Sequence, residues 1–176
     1  AFPIQNLLIG FAVGIGVGGQ PIVGYNFGAG NYRRVKETYR AIVLAVCIVG
    51  IIAMLLFELC PQALISLFGN ESELYNQYAQ LCFRIFLGGI LLTCLQKVSS
   101  IFLQSMGRPL QSTLLSLARD VVFFVPALLF LAPRYGVEGM LWAAPIADVL
   151  TGILAALLVA SEMRRLTALE NAPHKH

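Results

Sequence analysis

One segment of the chain, Ala41–Phe57, runs for seventeen residues without a charged or hydrogen-bonding side chain. A helix that crosses the hydrocarbon core of a bilayer needs about 20 mostly apolar residues, because lipid offers no partner to backbone N–H and C=O groups. The segment therefore predicts a membrane-spanning helix. The same character recurs along the chain, which is 58% hydrophobic and only 12% charged, whereas soluble domains are about 25% charged.

Apolar segments of this kind predict an all-α membrane protein with about five transmembrane helices. Their expected bounds are 2–27, 38–58, 76–106, 110–132 and 138–162, and a polar tail is expected at 163–176. Gly107 and Pro109 suit the end of the third helix and the first turn of the fourth. Because the chain starts at Ala1 inside an apolar run, we expect it to be part of a longer polypeptide.

The basic residues predict the orientation of the helices. Eight of the twelve fall at helix ends that would lie on one side of the membrane, namely Arg33, Arg34, Lys36, Arg40, Arg108, Arg164, Arg165 and Lys175. Because short cytoplasmic loops carry an excess of Lys and Arg, the 28–40 connection, the 107–109 turn and the tail are expected in the cytoplasm.

The glycines of the first helix invite two interpretations. Gly14–Gly19 matches the spacing G-x-G-x-x-G of dinucleotide-binding turns, but that fingerprint must follow a strand and open a helix. These glycines instead lie in an uncharged run of membrane length. Gly10, Gly14 and Gly18 recur every four residues and so share one helix face, which predicts close packing against another helix.

A polar motif follows these glycines. Pro21 removes a backbone donor and is expected to kink or break the first helix near its cytoplasmic end. Two interpretations stay open, a kinked helix end with a turn and a hinge or cavity-lining element. The residues of this motif are Gln20, Pro21, Gly24, Tyr25, Asn26 and Gly28.

The segment GGQPIVGYNFGAGNYRRVKETYR resembles the multidrug and toxic compound extrusion (MATE) family, and FLQSMGRP and APRYGVEGMLWAAPIADVLTGILAALLVASEMRRL are similar to later helices of that family. The resemblance covers essentially the whole chain. It implies helices 8–12 of a twelve-helix, two-lobe transporter, with residues 1–162 forming most of the second lobe. It also implies a multi-pass plasma (inner) membrane antiporter that exports organic, often cationic, compounds by alternating access.

The resemblance further implies partners and a coupling ion. The partners would be small organic substrates, the lipid bilayer and an N-terminal lobe outside this chain, with no cofactor and no nucleic acid. Some sodium-coupled family members use an acidic residue in the tenth helix, and the matching segment FRIFLGGILLTCLQKVSSIFLQSM has none. That departure speaks against sodium coupling through this lobe, and the coupling ion, H⁺ or Na⁺, stays open.

Several polar side chains lie deep within the predicted helices, namely Gln96, Lys97, Arg119, Asp120 and Asp148. Ionisable groups at membrane depth are costly and face the bundle interior or a water-filled cavity. An internal ion pair and a ligand- or proton-binding role are both open for each charged residue. Counting from the turn at 107–109 places Lys97 and Asp120 at the same depth, which predicts a Lys97–Asp120 ion pair with Arg119 turned toward a cavity or Asp148.

Two other functions are considered beside drug export. A lipid-linked saccharide flippase of the same superfamily would carry more basic residues along its cavity, and Lys97 and Arg119 fit that pattern. A polytopic membrane enzyme would need acids, histidines or a nucleophile–base pair clustered on one face. Because Asp120 and Asp148 stand on separate predicted helices, the chain is not expected to be an enzyme.

Overall fold

The computed structural model describes residues 2–59 and 73–172, with side chains described for 6–56, 59 and 89–172. These residues form helices and turns without a strand, which confirms the predicted all-α class. The helices are α1 (Phe2–Gly28), α2 (Tyr32–Leu59), α3 (Glu73–Ser105), α4 (Pro109–Leu117) and α5 (Val125–Glu170). A π-helical segment, Ala118–Phe124, joins α4 to α5.

The connection between α1 and α2 is shorter than the sequence predicts. Helix α2 begins at Tyr32 rather than at residue 38, and the turn is closed by a bond from the Asn31 backbone N–H to the Asn26 carbonyl oxygen at 2.8 Å. The basic residues expected in a loop therefore occupy the first turns of a helix.

Helices α3 and α4 form a tight antiparallel hairpin. Gly107 has φ +72, a backbone conformation that costs a residue with a Cβ about 1–2 kcal/mol, and Pro109 lies in the first turn of α4. The hydroxyl oxygens of Ser100 and Ser112 are 2.7 Å apart across the hairpin. Gly107 and Pro109, which the sequence predicts as a helix end and a helix start, thus lie in the turn of the hairpin.

Helix α5 reverses direction at Gly136, where the backbone is non-helical (φ 59, ψ −135). The apolar stretch Pro109–Glu170 has 62 residues, which is about 93 Å of helix against a hydrocarbon core of about 30 Å. The reversal divides this stretch into two membrane-length legs. We call the part of α5 after Gly136 the C-terminal leg.

The bundle core has two apolar clusters, and both depend on α3. The first joins α1, α2 and α3 and consists of Ala12, Ile42, Val46, Ile90, Cys94 and Val98. The second lies nearer the end of α3 and consists of Val23, Val35, Phe102, Leu103, Met106 and Leu166. Helices α1, α2 and α3 contribute to both clusters, and α3 is the central helix of the described bundle because it also packs against α4 and α5.

The outside of the bundle is apolar. Leu44, Leu129 and Leu157 are 62%, 70% and 64% exposed, which suits helices whose outer faces meet lipid. Within the described residues, three stretches are long and apolar enough to cross a membrane, Asn6–Gly28, Tyr32–Leu56 and Pro109–Glu170. With the last of them folded into two legs and α3 packed between the others, the architecture agrees with about five crossings.

The C-terminal leg extends beyond the predicted helix end at residue 162. It stays helical to Glu170, and Leu166 is buried in the second core cluster. The expected polar tail is therefore shorter than predicted, and its last residues, 173–176, lie outside the described part of the chain.

Candidate functional site

A cluster of charged side chains lies among α3, the π-helical segment and the C-terminal leg. Asp148 is 4% exposed, and its Oδ1 accepts a hydrogen bond from Arg119 Nε at 2.8 Å. Its Oδ2 accepts one from Thr93 Oγ1 at 2.7 Å. Arg119 also pairs through Nη1 with Asp120 Oδ1 at 2.9 Å. One guanidinium thus joins two carboxylates, and we call these four residues the charge cluster.

The neighbouring backbone makes room for the buried carboxylate. Gly89 has no side chain, and a Cβ there would lie 3.3 Å from Asp148 Oδ2 and 3.7 Å from Pro145 Cα. The glycine therefore lets α3 approach the C-terminal leg where the charge is held. This leaves Asp148 with charged and hydroxyl partners instead of an apolar neighbour, which is what a buried charge requires.

The two carboxylates differ sharply in environment. The side chain of Asp148 is 4% exposed, that of Arg119 is 22% exposed and that of Asp120 is 60% exposed. The cluster therefore reaches from the bundle interior to its outer face. With two carboxylates and one guanidinium it carries one formal negative charge in excess, and that excess is presented at Asp120.

The predicted Lys97–Asp120 ion pair is wrong. Asp120 pairs with Arg119, and Lys97 forms no ion pair with any residue whose side chain the structure describes. The prediction assumed an unbroken α-helix after residue 109. Residues 118–124 are π-helical, and the i→i+5 bonding of a π turn changes the direction of the side chains it carries. Arg119 contacts Asp148, which is one of the two alternatives open from the sequence.

Gln96 lies on α3 one turn beyond Thr93, 1% exposed. Neither its amide nitrogen nor its amide oxygen has a hydrogen-bond partner in the described part of the chain. A buried polar group without a partner costs about 1–3 kcal/mol. Gln96 thus keeps an open donor and an open acceptor one turn from the charge cluster.

The polar motif of α1 remains within one continuous helix. A kink or a break was expected at Pro21; the helix does not break there and runs on to Gly28. The Asn26 side-chain amide donates to the Ile22 carbonyl oxygen at 2.8 Å, which is a bond inside the helix. A Cβ on Gly24 would lie 3.5 Å from the Ser105 carbonyl oxygen, so α1 and α3 approach closely there. Gln20 is half-buried, whereas Pro21, Tyr25 and Gly28 are exposed.

The glycines of α1 occupy two different faces. Cβ atoms on Gly10, Gly14 or Gly18 would meet nothing within 4 Å in the described residues. The close approaches are made by Gly16, whose Cβ would lie 3.0 Å from Ile101, and by Gly19, whose Cβ would collide with Ile42. The packing predicted for Gly10, Gly14 and Gly18 stays a prediction. The close packing that is observed involves Gly16 and Gly19, for which none was predicted.

A second set of ion pairs lies at the end of the bundle that carries the turns at residues 29–31 and 107–108. Lys36 Nζ lies 2.6 Å from Glu170 Oε2 and donates to Thr167 Oγ1 at 3.2 Å. Glu162, whose side chain is 7% exposed, lies 3.6 Å from Arg108 Nη1. The C-terminal leg therefore ties both turns together. The sequence pattern indicates the basic partners only through their effect on orientation, and it does not predict their acidic partners.

The membrane-length helices and the charge cluster in their interior define a polytopic helical membrane protein. The MatE family model matches residues 1–129. This chain therefore belongs to the multidrug and toxic compound extrusion (MATE) family, as the sequence resemblance indicated.

Relatives of known name agree with this family. The chain is 24% identical over 155 residues to the multidrug export protein MepA of Staphylococcus haemolyticus, which covers 88% of this chain and 34% of that protein. It is 23% identical over 166 residues to MepA of Staphylococcus aureus, covering 94% of this chain and 35% of the relative. The chain thus spans about a third of the length of these relatives.

Solved structures agree with the fold. An inward-facing multidrug resistance MATE family transporter of the MOP superfamily matches with a TM-score of 0.83 and 16% identity, over 98% of this chain and 39% of that one. The Vibrio cholerae MATE transporter VcmN in its bent form matches with a TM-score of 0.79 and 19% identity, over 96% and 39% of the two chains. At these identities the likeness concerns the fold.

Proposed function

We propose that this chain forms most of one lobe of a secondary active multidrug exporter. In the complete transporter, organic and often cationic compounds would leave the cell in exchange for H⁺ or Na⁺. The substrate would bind between this lobe and a second one, and the lobes would open alternately to the two sides. The family and the named function of the MepA relatives support this assignment.

The observation that carries the proposal is the exposed carboxylate of Asp120 at membrane depth. A charge there is not tolerated against lipid and faces protein or a water-filled cavity. Asp120 is 60% exposed on the described bundle, and the charge cluster has one negative charge in excess. A cavity lined by this face would attract a cationic substrate or a coupling cation.

The same cluster makes the flippase alternative less suitable. A flippase cavity for a lipid-linked saccharide would need basic groups that remain available to a phosphate. Arg119 is already paired with two carboxylates, at 2.8 Å and 2.9 Å. Its positive charge is therefore compensated within the lobe, which leaves Lys97, without an ion pair to any described side chain, as the basic group that fits a flippase.

We also propose the orientation of the lobe in the cell membrane. The end that carries Lys36, Arg108 and Arg165 holds most of the basic residues of the described chain, and short loops rich in Lys and Arg stay in the cytoplasm. The C-terminus and the turn at 29–31 would then be cytoplasmic, and the reversal at Gly136 would face outward.

A chimera tests the function directly. This chain would replace the matching C-terminal segment of Staphylococcus aureus MepA, and ethidium efflux would be measured in cells that lack other exporters. We expect the chimera to restore efflux, Asp120→Asn to reduce it at least about tenfold, as loss of a charged anchor worth about 1.4 kcal/mol or more implies, and Glu37→Gln to leave it unchanged. Glu37 is an acid at the bundle end, outside the charge cluster, and its side chain is 57% exposed.

The outcomes separate the parts of the proposal. A chimera that reaches the membrane at a normal level and exports nothing would contradict the transporter assignment for this lobe. Full efflux by the Asp120→Asn chimera would instead remove that carboxylate from the transport cavity.

A further inference from the structure

A polar groove lies at the basic end of the bundle, between the α1–α2 turn and the last turn of the C-terminal leg. Its volume is about 490 Å³. Asn31, Arg33 and Arg34 form one wall, and Leu169 and Glu170 form the other. The transport proposal makes no use of this groove, which lies at the opposite end of the C-terminal leg from the Gly136 reversal.

The α2 wall presents several donors to the groove. The first bond into α2 runs from the Val35 backbone N–H to the Asn31 carbonyl oxygen at 3.2 Å, and the N–H groups of Arg33 and Arg34 have no backbone acceptor in the described residues. Free N–H groups at a helix start attract anions. The Arg33 guanidinium uses only Nε, toward Glu37 at 3.0 Å, and Arg34 forms no ion pair with a described side chain.

Glu170, the acid among the described residues that line the groove, is compensated. Glu170 lies 2.6 Å from Lys36 Nζ through its Oε2, so its charge does not repel an anion as a lone carboxylate would. Counting Arg33, Arg34 and Lys36 against Glu37 and Glu170 leaves one positive charge in excess. The groove therefore combines a net positive charge with backbone donors.

The position of the groove identifies the anion. The apolar stretch of α1 ends at Gly28, directly before the α1–α2 turn, so the groove lies where a membrane-length helix leaves the hydrocarbon and meets the headgroups. Leu169 is 38% exposed in its wall, and Tyr25, one turn before the α1–α2 turn, is 77% exposed. Aromatic residues favour this interface, and basic pockets at the ends of membrane helices hold lipid headgroups.

We propose that this groove binds the phosphate of an anionic phospholipid headgroup, with Arg34 and the α2 N–H groups as donors and the acyl chains lying along the apolar outer face. The site is independent of substrate transport. It would anchor the α1–α2 turn and the C-terminal leg to the same lipid.

The test compares two lipids and two arginines. Native mass spectrometry of the full chain in detergent, titrated with phosphatidylglycerol or with phosphatidylcholine of the same acyl chains, measures the bound fraction. We expect preferential binding of phosphatidylglycerol and a loss of about fivefold for Arg34→Gln, since a basic residue contributes about 1 kcal/mol toward anionic lipid. Arg164→Gln is the matched control, because Arg164 is an exposed arginine of the C-terminal leg that lies outside the groove.

Three results would overturn the proposal. An equal loss for Arg34→Gln and Arg164→Gln would mean unspecific attraction to the basic end, and equal binding of the two lipids would mean that no anion site exists. Displacement of phosphatidylglycerol by millimolar inorganic phosphate would mean a site for free phosphate and not for lipid. Arg34→Lys, which keeps the charge, should retain most of the binding, and circular dichroism checks that each variant keeps its helix content.

Discussion

Replacing Asp148 by Asn should destabilise this lobe more than any comparable loss of charge on its surface. The substitution leaves Arg119 partly buried without its shortest carboxylate contact, while the shape of the side chain is nearly kept. Thr93 can still donate to the amide oxygen, so the loss concerns mainly the Arg119–Asp148 contact at 2.8 Å.

The burial of the two carboxylates sets the expected magnitudes. At 2.8 Å and an effective dielectric constant of about 20, the attraction between Arg119 and Asp148 is about 6 kcal/mol before the cost of desolvation. Breaking a buried pair from one side typically costs ~3–5 kcal/mol, which for a chain of this size lowers Tm by about 6–20 °C. Asp120 is 60% exposed, and loss of an exposed partner costs about 0–1 kcal/mol.

Thermal unfolding of the solubilised chain by circular dichroism measures these differences. Asp148→Asn and Arg119→Gln should each lower Tm strongly, the double variant should recover much of the loss, and Asp120→Asn should change Tm by only a few degrees. If the double variant loses as much as the two single variants together, Arg119 and Asp148 do not stabilise one another. A Tm for Asp120→Asn as low as that of Asp148→Asn would refute the argument from burial.

Two further predictions concern packing and orientation. Gly89→Ala should destabilise the chain by about 1–3 kcal/mol, because its Cβ would crowd the Asp148 carboxylate at 3.3 Å. Gly28→Ala is the control and should not destabilise the chain, because a Cβ there would meet nothing within 4 Å. Equal Tm values for the two variants would contradict the close approach of α3 to the C-terminal leg. A cysteine at Asn31 should resist a membrane-impermeant thiol reagent in intact cells and one at Val137 should react, and the reverse pattern of labelling would invert the proposed orientation.

The crossings of this fold are predictable from sequence, because membrane helices must satisfy their backbone internally and be long enough for lipid. The turn at Gly107 and Pro109 is predictable from sequence as well. Gly107 tolerates a positive φ, and Pro109 has no backbone N–H with which to continue the preceding helix. The start of α2 was missed because the charges of Arg33 and Lys36 suggested a loop. In the structure these side chains project from a helix end.

The partners of the deep charges were harder to predict for a geometric reason. Depth can be counted along a regular helix, but the direction of a side chain depends on every turn before it, and the π-helical segment changes that direction at Asp120. The ion pair of Glu170 was missed because the last helix was expected to end at residue 162, before it reached Lys36. The glycine spacing of α1 identified a face of the helix without identifying which neighbour would occupy it.

The C-terminal leg connects the charge cluster with the ion pairs at the bundle end. At 1.5 Å per residue Asp148 and Glu170 are about 33 Å apart along the axis, and at 3.6 residues per turn Asp148, Glu162 and Glu170 fall within about 80° of one another around it. All three acids thus lie on one side of the C-terminal leg, Asp148 near its middle and Glu162 and Glu170 toward its end. Rotation of the C-terminal leg about its own axis must therefore break the pairs with Arg119, Arg108 and Lys36 together, whereas a tilt of the whole bundle breaks none of them.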